Sequence, residues 1–252
     1  MKITDQYFDG IAAKFAKNIY GTTKGRLRHM LLIDAMMPFL ANGPSKILDI
    51  GGGTGVMTKT LADLGHQVTL TDASEEVLTL AREMLADTPD VTIVQQTLDQ
   101  AADLHSYDFI VCHAVLEWLA RPFDAIDLIF QNMAPGKLLS LSFFNRDAAL
   151  FGNALYGNFD YISRGMKVKN QVRLNPDNPL RPAEVIQHAE GTGFSVESIT
   201  GIRCFHDYMK EKPSSDAVFD QLVALERQYN QTPPYCWLGK YIHLMLRKSA
   251  ES

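Results

Sequence analysis

The chain has 252 residues, of which 46% are hydrophobic and 21% are charged, and its net charge is −5. No stretch approaches the roughly 18 apolar residues that a membrane-spanning helix needs, and the start, MKITDQYFDG, lacks the apolar run of a signal peptide. Three widely spaced cysteines, with no paired cysteine or histidine motif, argue against a disulfide framework and a protein-held metal. The composition therefore predicts a cytoplasmic protein without a metal.

Strand-like and helix-like segments alternate from residue 46 to residue 145. Short apolar runs predict strands at 46–50, 67–72, 91–96 and 107–114, and a fifth strand follows the Pro-Gly turn of segment 134–145. Apolar residues at helical spacing predict helices at 56–65, 74–87 and 122–133. This alternation is typical of α/β proteins with a parallel, doubly wound sheet.

The alternation breaks at about residues 146–182 and 207–237, which we interpret as two insertions. Between them we predict a helix that begins at Pro182 and a strand at 195–205. The second insertion is predicted to be mostly helical, and a last strand lies within 240–248. We expect residues 1–252 to form a single domain with an N-terminal helical cap over about residues 1–40.

Two segments of this acidic chain are basic. Residues 10–33 contain five cations and no acid, and residues 164–181 contain five cations and one acid. The cations are Lys14, Lys17, Lys24, Arg26 and Arg28 in the first segment, and Arg164, Lys167, Lys169, Arg173 and Arg181 in the second. Such an uneven distribution can steer an anion to one face of the protein, although each run alone is equally compatible with a solvated loop.

A glycine-rich turn, LDIGGGTG, follows the first predicted strand and precedes a helix. Gly51, Gly53 and Gly55 let the backbone approach a ligand closely while helix N–H groups face it. Asp72 ends the next strand, where a carboxylate can accept hydrogen bonds from both hydroxyls of a ribose; otherwise it is a solvated acid. No cation directly follows the turn to hold a pyrophosphate, which disfavours a dinucleotide.

Together with YDFIVCHAVLEWL and APGKLLSLSFF, these motifs resemble class I S-adenosylmethionine methyltransferases. The resemblance implies a Rossmann-like, doubly wound, seven-stranded and mostly parallel sheet. It also implies an antiparallel edge strand, formed here by KYIHLMLRK, and S-adenosyl-L-methionine as the cofactor. A nicotinamide dehydrogenase is the alternative.

The same resemblance assigns cofactor-binding residues. Asp49, Gly51, Gly52 and Gly53 would surround the methionine end, Asp72 would bind the ribose, and Ala73, Thr97 and Leu98 would contact the adenine. Many relatives carry an acid after the third strand, so Asp99 in a shifted register, or the backbone, is the alternative there. His113 would face the cofactor or the transferred methyl, or else be a structural histidine.

Further segments resemble a narrower family, the bacterial tRNA 5-carboxymethoxyuridine methyltransferases. They are FDGIAAKFAKNIYGTTKGRLR, HAVLEWL, GNFDYISRGM and GIRCFHDYM with LGKYIHLMLRK. This resemblance implies methyl-ester formation on the carboxylate of a modified uridine at the tRNA wobble position, with the anticodon loop as partner. It places a cofactor contact on Arg28 of GRLR, whose guanidinium would pair with the methionine carboxylate.

Candidate substrate contacts follow from this reading. Lys24, Arg26, Lys167, Lys169 and Arg173 are candidates for RNA, and Tyr20, Tyr156 and Arg203 for the acceptor carboxylate. Glu117 is interpreted as a helix-face acid. An acceptor carboxylate is already ionised at neutral pH, so we predict no general base. The alternatives are a methyltransferase for a free small acid and a non-catalytic RNA-binding module that retains the cofactor.

Overall fold

The computed structural model describes Asp5 and residues 22–101, 103–166 and 178–249. These residues form a seven-stranded sheet with helices on both faces. The strands are β1 (Lys46–Ile50), β2 (Gln67–Asp72), β3 (Val91–Gln95), β4 (Phe109–His113), β5 (Leu138–Phe144), β6 (Phe194–Ile202) and β7 (Tyr241–Lys248). Their order across the sheet is β3-β2-β1-β4-β5-β7-β6, which confirms the predicted doubly wound α/β sheet.

Strand β7 runs against the direction of its neighbours. Strands β1 to β5 pair in parallel, whereas β7 is antiparallel to both β5 and the outermost strand β6. The predicted antiparallel strand is therefore confirmed at this edge, one place in from the outermost strand. Because Phe144 and Ile202 both pair with Tyr241, the amino end of β7 lies at the carboxyl ends of β5 and β6.

The hydrophobic core has one layer on each face of the sheet. The helices that the structure describes are α1 (Thr23–Leu40), α2 (Val56–Asp63), α3 (Glu75–Met84), α4 (Pro122–Asn132), α5 (Arg146–Leu155), α6 (Phe159–Ser163), α7 (Pro182–Thr192) and α8 (Asp216–Tyr229). On one face α1, α2 and α8 pack through buried side chains such as Leu31, Leu61 and Phe219. On the other face, Ile129 of α4 and Val185 of α7 are fully buried.

Helices α5 and α6 were not predicted from the sequence. They occupy the first insertion directly after β5. Buried Asn145 begins this segment: its side-chain oxygen accepts from the Asp147 N–H at 2.9 Å, which caps α5. Its amide nitrogen donates to the carbonyls of Trp237 and Gly239, both at 2.9 Å. One buried amide thus joins the start of the first insertion to the end of the second, at the carboxyl edge of the sheet.

Candidate active site

A cleft with about 430 Å³ of open space lies at the carboxyl edge of β1 and β4, beside α1. The cleft is lined by Gly25, Arg28, His29, Leu32, Asp49, Gly51, Gly52, Met57 and His113. Arg28, Asp49, Gly51, Gly52 and His113 were predicted, and the structure brings them together. The α1 and α2 residues Gly25, His29, Leu32 and Met57 were missed, because the sequence patterns assigned a role to none of them.

The glycine turn has no room for larger residues. Gly51 has φ +63°, and a Cβ there would lie 2.5 Å from a methyl carbon of Val115. A Cβ on Gly52 would lie 2.8 Å from a carboxylate oxygen of Asp49. The bare backbone therefore forms one wall of the cleft, as close approach of a ligand requires.

Asp72 ties the end of β2 to this turn. One carboxylate oxygen accepts from the Gly53 N–H at 3.1 Å, and the other accepts from the Ser74 N–H at 2.9 Å. Gly53 itself does not line the cleft, and its N–H faces Asp72 instead. The carboxylate thus holds the glycine turn and the start of α3 in a fixed relation.

Three further predicted residues lie next to the end of β2. The Gln96 N–H donates to the carbonyl of Asp72 at 3.0 Å, which places Thr97 and Leu98 beside that strand end. Ala73 accepts from the Gln95 side chain at 3.2 Å. Thr97 caps the helical turn Leu98–Gln100. The residues predicted to bind the adenosine therefore lie close together in the structure. Their role in binding stays a prediction.

Asp49 has an unusual electrostatic environment. It is buried, and it accepts a hydrogen bond from the Thr58 hydroxyl at 2.7 Å. Burial raises the pKa of this carboxyl to about 7, and the nearby charge of Asp72 acts in the same direction, whereas the Thr58 hydrogen bond opposes it. A positively charged ligand in the cleft would favour the ionised form.

His113 is both a core residue and part of the cleft wall. Its Nε2 lies 2.7 Å from the Ser140 hydroxyl, which lies 2.8 Å from Nε2 of His243. Burial lowers the pKa of His113 well below its ordinary value and that of His243 to about 3, so both rings are neutral at pH 7. The serine has one hydroxyl proton, so it donates to one ring and accepts from the other. His113 was predicted either to face the cofactor or to be a structural histidine. The structure shows the structural contact to Ser140, and it also places the ring in the cleft wall.

Glu117 is not the helix-face acid that the sequence suggested. It lies in the turn Leu116–Trp118 and is completely buried, close to its own backbone N–H and to that of Phe144. Burial raises its pKa to about 7, while these two N–H groups and the charge of Arg28 lower it. The guanidinium carbon of Arg28 lies 4.7 Å from the centre of the Tyr241 ring, and its buried Nε has no partner. The cation and the acid thus lie near each other without forming an ion pair.

Arg203 was predicted to meet the acceptor, but its guanidinium is already engaged. It follows β6 with a φ of +63°, and its Nε lies 2.8 Å from a carboxylate oxygen of Asp207. Its Nη2 donates to the other carboxylate oxygen at 3.2 Å, and its Nη1 donates to the carbonyl of Lys24 at 3.4 Å. Arg203 therefore joins α1 to the loop after β6, and its charge is balanced by Asp207.

The remaining substrate candidates are spread over the surface. Arg26 pairs with Asp216 at 3.2 Å and lies over Phe219, so the structure directs it to α8 and away from the cleft. Tyr156 ends α5 with 68% of its surface exposed, and its hydroxyl donates to the carbonyl of Asp207 at 3.5 Å. The predicted contacts Tyr20, Lys167, Lys169 and Arg173 lie outside the described residues.

Neither a membrane span nor a metal site is found in the described ranges. There, no helix has the length and apolar character needed to cross a membrane. Nor do His, Cys, Asp and Glu side chains of those same ranges form a group of three or more that could hold a metal ion.

Known proteins resemble this chain in both sequence and fold. Residues 48–139 match the methyltransferase domain family. Magnesium protoporphyrin IX methyltransferase from Synechocystis, solved with bound SAH, superposes with a TM-score of 0.64 at 20% identity, over 96% of this chain and 97% of that one. A SAM-dependent methyltransferase from Thermotoga maritima superposes with a TM-score of 0.63 at 14% identity, over 96% and 98%. These matches confirm the class I methyltransferase fold.

One relative is similar along almost the whole chain. The tRNA 5-carboxymethoxyuridine methyltransferase of Escherichia coli is 41% identical over 253 residues, which cover 97% of each chain. The similarity therefore includes α1, α5 to α8 and β6 to β7, all of which lie beyond the matched methyltransferase domain. The protein belongs to the tRNA 5-carboxymethoxyuridine methyltransferase family.

Proposed function

We propose that the protein transfers a methyl group from S-adenosylmethionine to the carboxylate of 5-carboxymethoxyuridine at the tRNA wobble position, which yields the methyl ester. The observation that carries this proposal is the 41% identity over 97% of both chains, well beyond residues 48–139. A tRNA substrate would place the reaction in the cytoplasm.

The cleft fits the methionine end of the cofactor. Gly51 and Gly52 offer bare backbone, Arg28 offers a guanidinium whose Nε has no partner, and Asp49 offers a buried carboxyl. Arg28 would bind the methionine carboxylate, and Asp49 would favour the positive charge. Asp72, Ala73, Thr97 and Leu98 would hold the adenosine. The bound cofactor supplies an electrophilic methyl on a positively charged sulfur.

The proposed reaction depends on alignment of the acceptor carboxylate with the methyl group more than on proton transfer. A carboxylate with an ordinary pKa is ionised at pH 7, so its oxygen can attack the methyl carbon without a base. The carbon–oxygen bond forms as the carbon–sulfur bond breaks, which leaves S-adenosylhomocysteine. His113, neutral and held by Ser140, offers a fixed wall beside this path and no proton to the nucleophile. Positioning of this kind can contribute up to roughly 7–11 kcal/mol to catalysis.

The surface next to the cleft supports an anticodon loop as the partner. Tyr156 and Phe159 are each 68% exposed on α5 and α6, which follow β5 at the carboxyl edge. Exposed aromatic rings stack on unpaired bases, and a loop presents its bases without melting a duplex. Cations of the segment that follows α6 in the sequence would neutralise loop phosphates.

The test uses methyl-labelled S-adenosylmethionine with tRNA from cells that lack this protein, followed by digestion to nucleosides. The expected product is label in an alkali-labile ester of carboxymethoxyuridine, both in whole tRNA and in an isolated anticodon stem–loop. Label in another nucleoside would reject the carboxylate chemistry. Label in whole tRNA alone would reject an anticodon loop as a sufficient partner. No label, with the acceptor nucleoside and cofactor binding both verified, would favour the free-acid or non-catalytic alternative.

Asp49 is expected to make cofactor affinity depend on pH. The carboxyl has its pKa near 7 in the free protein, and a cationic ligand favours the ionised form, so binding below pH 7 must release a proton. Affinity for S-adenosylmethionine should therefore fall by up to about tenfold per pH unit below 7. Titration calorimetry between pH 5.5 and 8, in buffers of different ionisation enthalpy, measures both the affinity and the proton count.

The variants Asp49→Asn and Asp63→Asn separate this effect from others. Asp63 is exposed and paired with Lys59 at 3.0 Å, so its amide variant should keep the pH dependence. Asp49→Asn should bind more weakly at pH 8 and show a flat profile. An unchanged slope in Asp49→Asn would assign the proton to another group.

A further inference from the structure

Lys240 lies at the carboxyl edge of the sheet, directly before β7. Its backbone N–H donates to the carbonyl of Arg203 at 3.2 Å, and its carbonyl accepts from the N–H of Asn145 at 3.1 Å. Both flanking strands, β5 and β6, therefore fix its backbone. In the sequence this lysine only begins the segment KYIHLMLRK, and none of the roles assigned above uses it.

The ammonium group of Lys240 has no anion of its own. Its Nζ lies 4.8 Å from the centre of the Phe144 ring, and no carboxylate of the described residues lies within 4.0 Å of it. Nearby Asp207 is already bound by both Nε and Nη2 of Arg203. Burial lowers the pKa of Lys240; the charge of Asp207 opposes this, and the positive charges of Arg203 and Lys24 add to the lowering. This pocket therefore has an excess of positive charge that an anionic ligand would balance.

An aromatic pair connects Lys240 to the cofactor cleft. The Phe144 ring, under the ammonium, contacts the Tyr241 ring edge to face, with centres 5.5 Å apart. The guanidinium groups of Arg28 and Arg203 lie 4.7 Å and 5.5 Å from the centre of the Tyr241 ring, and Arg28 lines the cleft. The ammonium is thus one aromatic pair away from the cleft wall, beside the carboxyl end of β5.

We propose that Lys240 binds the carboxylate of the acceptor and makes the enzyme specific for an acidic wobble uridine. This inference rests on the proposed function and names the group that recognises its substrate. Arg203 is a weaker candidate because Asp207 balances its charge. A lysine ammonium is a single point charge on a flexible stem, so it can attract one oxygen while the other attacks the methyl. A forked guanidinium would hold both oxygens and would stabilise the ground state more.

The test compares two synthetic anticodon stem–loops that differ only at the wobble base, which is 5-carboxymethoxyuridine or 5-methoxyuridine. Binding is measured by fluorescence anisotropy with S-adenosylhomocysteine present, so that no turnover occurs. Wild-type protein should prefer the acidic loop by about tenfold or more, as expected for one charge-assisted contact. Lys240→Met should lose this preference and keep its affinity for the methoxy loop, whereas Lys240→Arg should retain most of it.

Lys46→Met is the matched control. Lys46 also begins a strand with its Nζ over an aromatic ring, 5.1 Å from the centre of Tyr107, but at the opposite edge of the sheet. The Lys46→Met variant should bind both loops like the wild type. S-adenosylhomocysteine affinity, measured on every variant, should stay unchanged and shows that each is folded.

The outcomes separate the inference from the proposed function. A wild-type preference that persists in Lys240→Met, in a protein that forms the labelled ester, overturns the role of Lys240 alone. Equal binding of both loops by the wild type also overturns it. Absence of the labelled ester in the digestion assay overturns the proposed function, whatever Lys240→Met does to binding.

Discussion

Replacing Glu226 with alanine is expected to destabilise the folded protein by about 3–5 kcal/mol. This glutamate of α8 is fully buried, and its carboxylate accepts from the backbone N–H groups of Cys204 at 2.6 Å, Phe205 at 3.0 Å and His206 at 3.0 Å. The alanine would leave three N–H groups without partners and a cavity behind them. The same loop begins with Arg203 in the left-handed region, which costs about 1–2 kcal/mol for a residue with a side chain. Urea unfolding followed by circular dichroism measures the change.

Two further variants make the measurement specific. Asp220→Ala removes an exposed acid from the same helix and should change stability by no more than about 0.5 kcal/mol. Glu226→Gln keeps the side-chain volume but replaces one accepting oxygen by a donor. Its loss of stability should therefore lie between those of Glu226→Ala and Asp220→Ala. If Glu226→Ala unfolded at the same urea concentration as Asp220→Ala, the carboxylate would not hold the loop.

The sheet was predictable from sequence because local patterns determine it. The apolar run at 46–50 ends at glycines, and the strand observed there has the predicted bounds, Lys46–Ile50. Strand β2, Gln67–Asp72, also agrees at both ends. The glycine turn and Asp72 are adjacent in space because parallel neighbouring strands end at one edge. The proximity of residues at such strand ends can therefore be predicted from the sequence.

Contacts between distant segments could not be predicted in this way. Arg26 and Arg28 are two residues apart on α1, yet one pairs with Asp216 and the other lines the cleft. Which direction each takes depends on how α1 sits against α8 and β7, and the sequence pattern does not specify that packing. Lys240 gains its position from hydrogen bonds to Asn145, directly after β5, and to Arg203, directly after β6, so three separate parts of the chain meet there.

The burial of polar residues also could not be predicted from the sequence. Glu117 and Glu226 look like ordinary charged residues in helical sequence, and both are completely buried. A short apolar neighbourhood such as LEW does not reveal whether the acid faces solvent or the core. The first insertion likewise contains α5 and α6, which the break in the strand–helix alternation did not predict.

Replacing Arg28 with methionine is expected to weaken S-adenosylhomocysteine binding by about 100-fold. In a desolvated cleft, a paired guanidinium–carboxylate contact contributes about 2–3 kcal/mol, which corresponds to that factor. The ligand 5′-methylthioadenosine lacks the amino-acid end, so its affinity should change little. Calorimetry with both ligands therefore isolates the contact to the methionine carboxylate. Lys59→Met removes an exposed cation from α2 and should bind both ligands like the wild type.

The same substitution also affects Glu117, which loses its neighbouring positive charge. Because Arg28 lowers the pKa of this buried acid, Arg28→Met should raise that pKa from its value of about 7. A folded-state pKa above the unfolded value means that stability falls as the pH rises from about 4.5 to the folded value, by about 1.4 kcal/mol per unit. Arg28→Met should extend this fall to higher pH, and adding Glu117→Gln should remove the part due to Glu117. The double variant should regain stability at pH 8 but not affinity for S-adenosylhomocysteine. Equal losses of affinity for both ligands, or recovery of binding in the double variant, would show that Arg28 acts through the fold and not through the ligand's carboxylate.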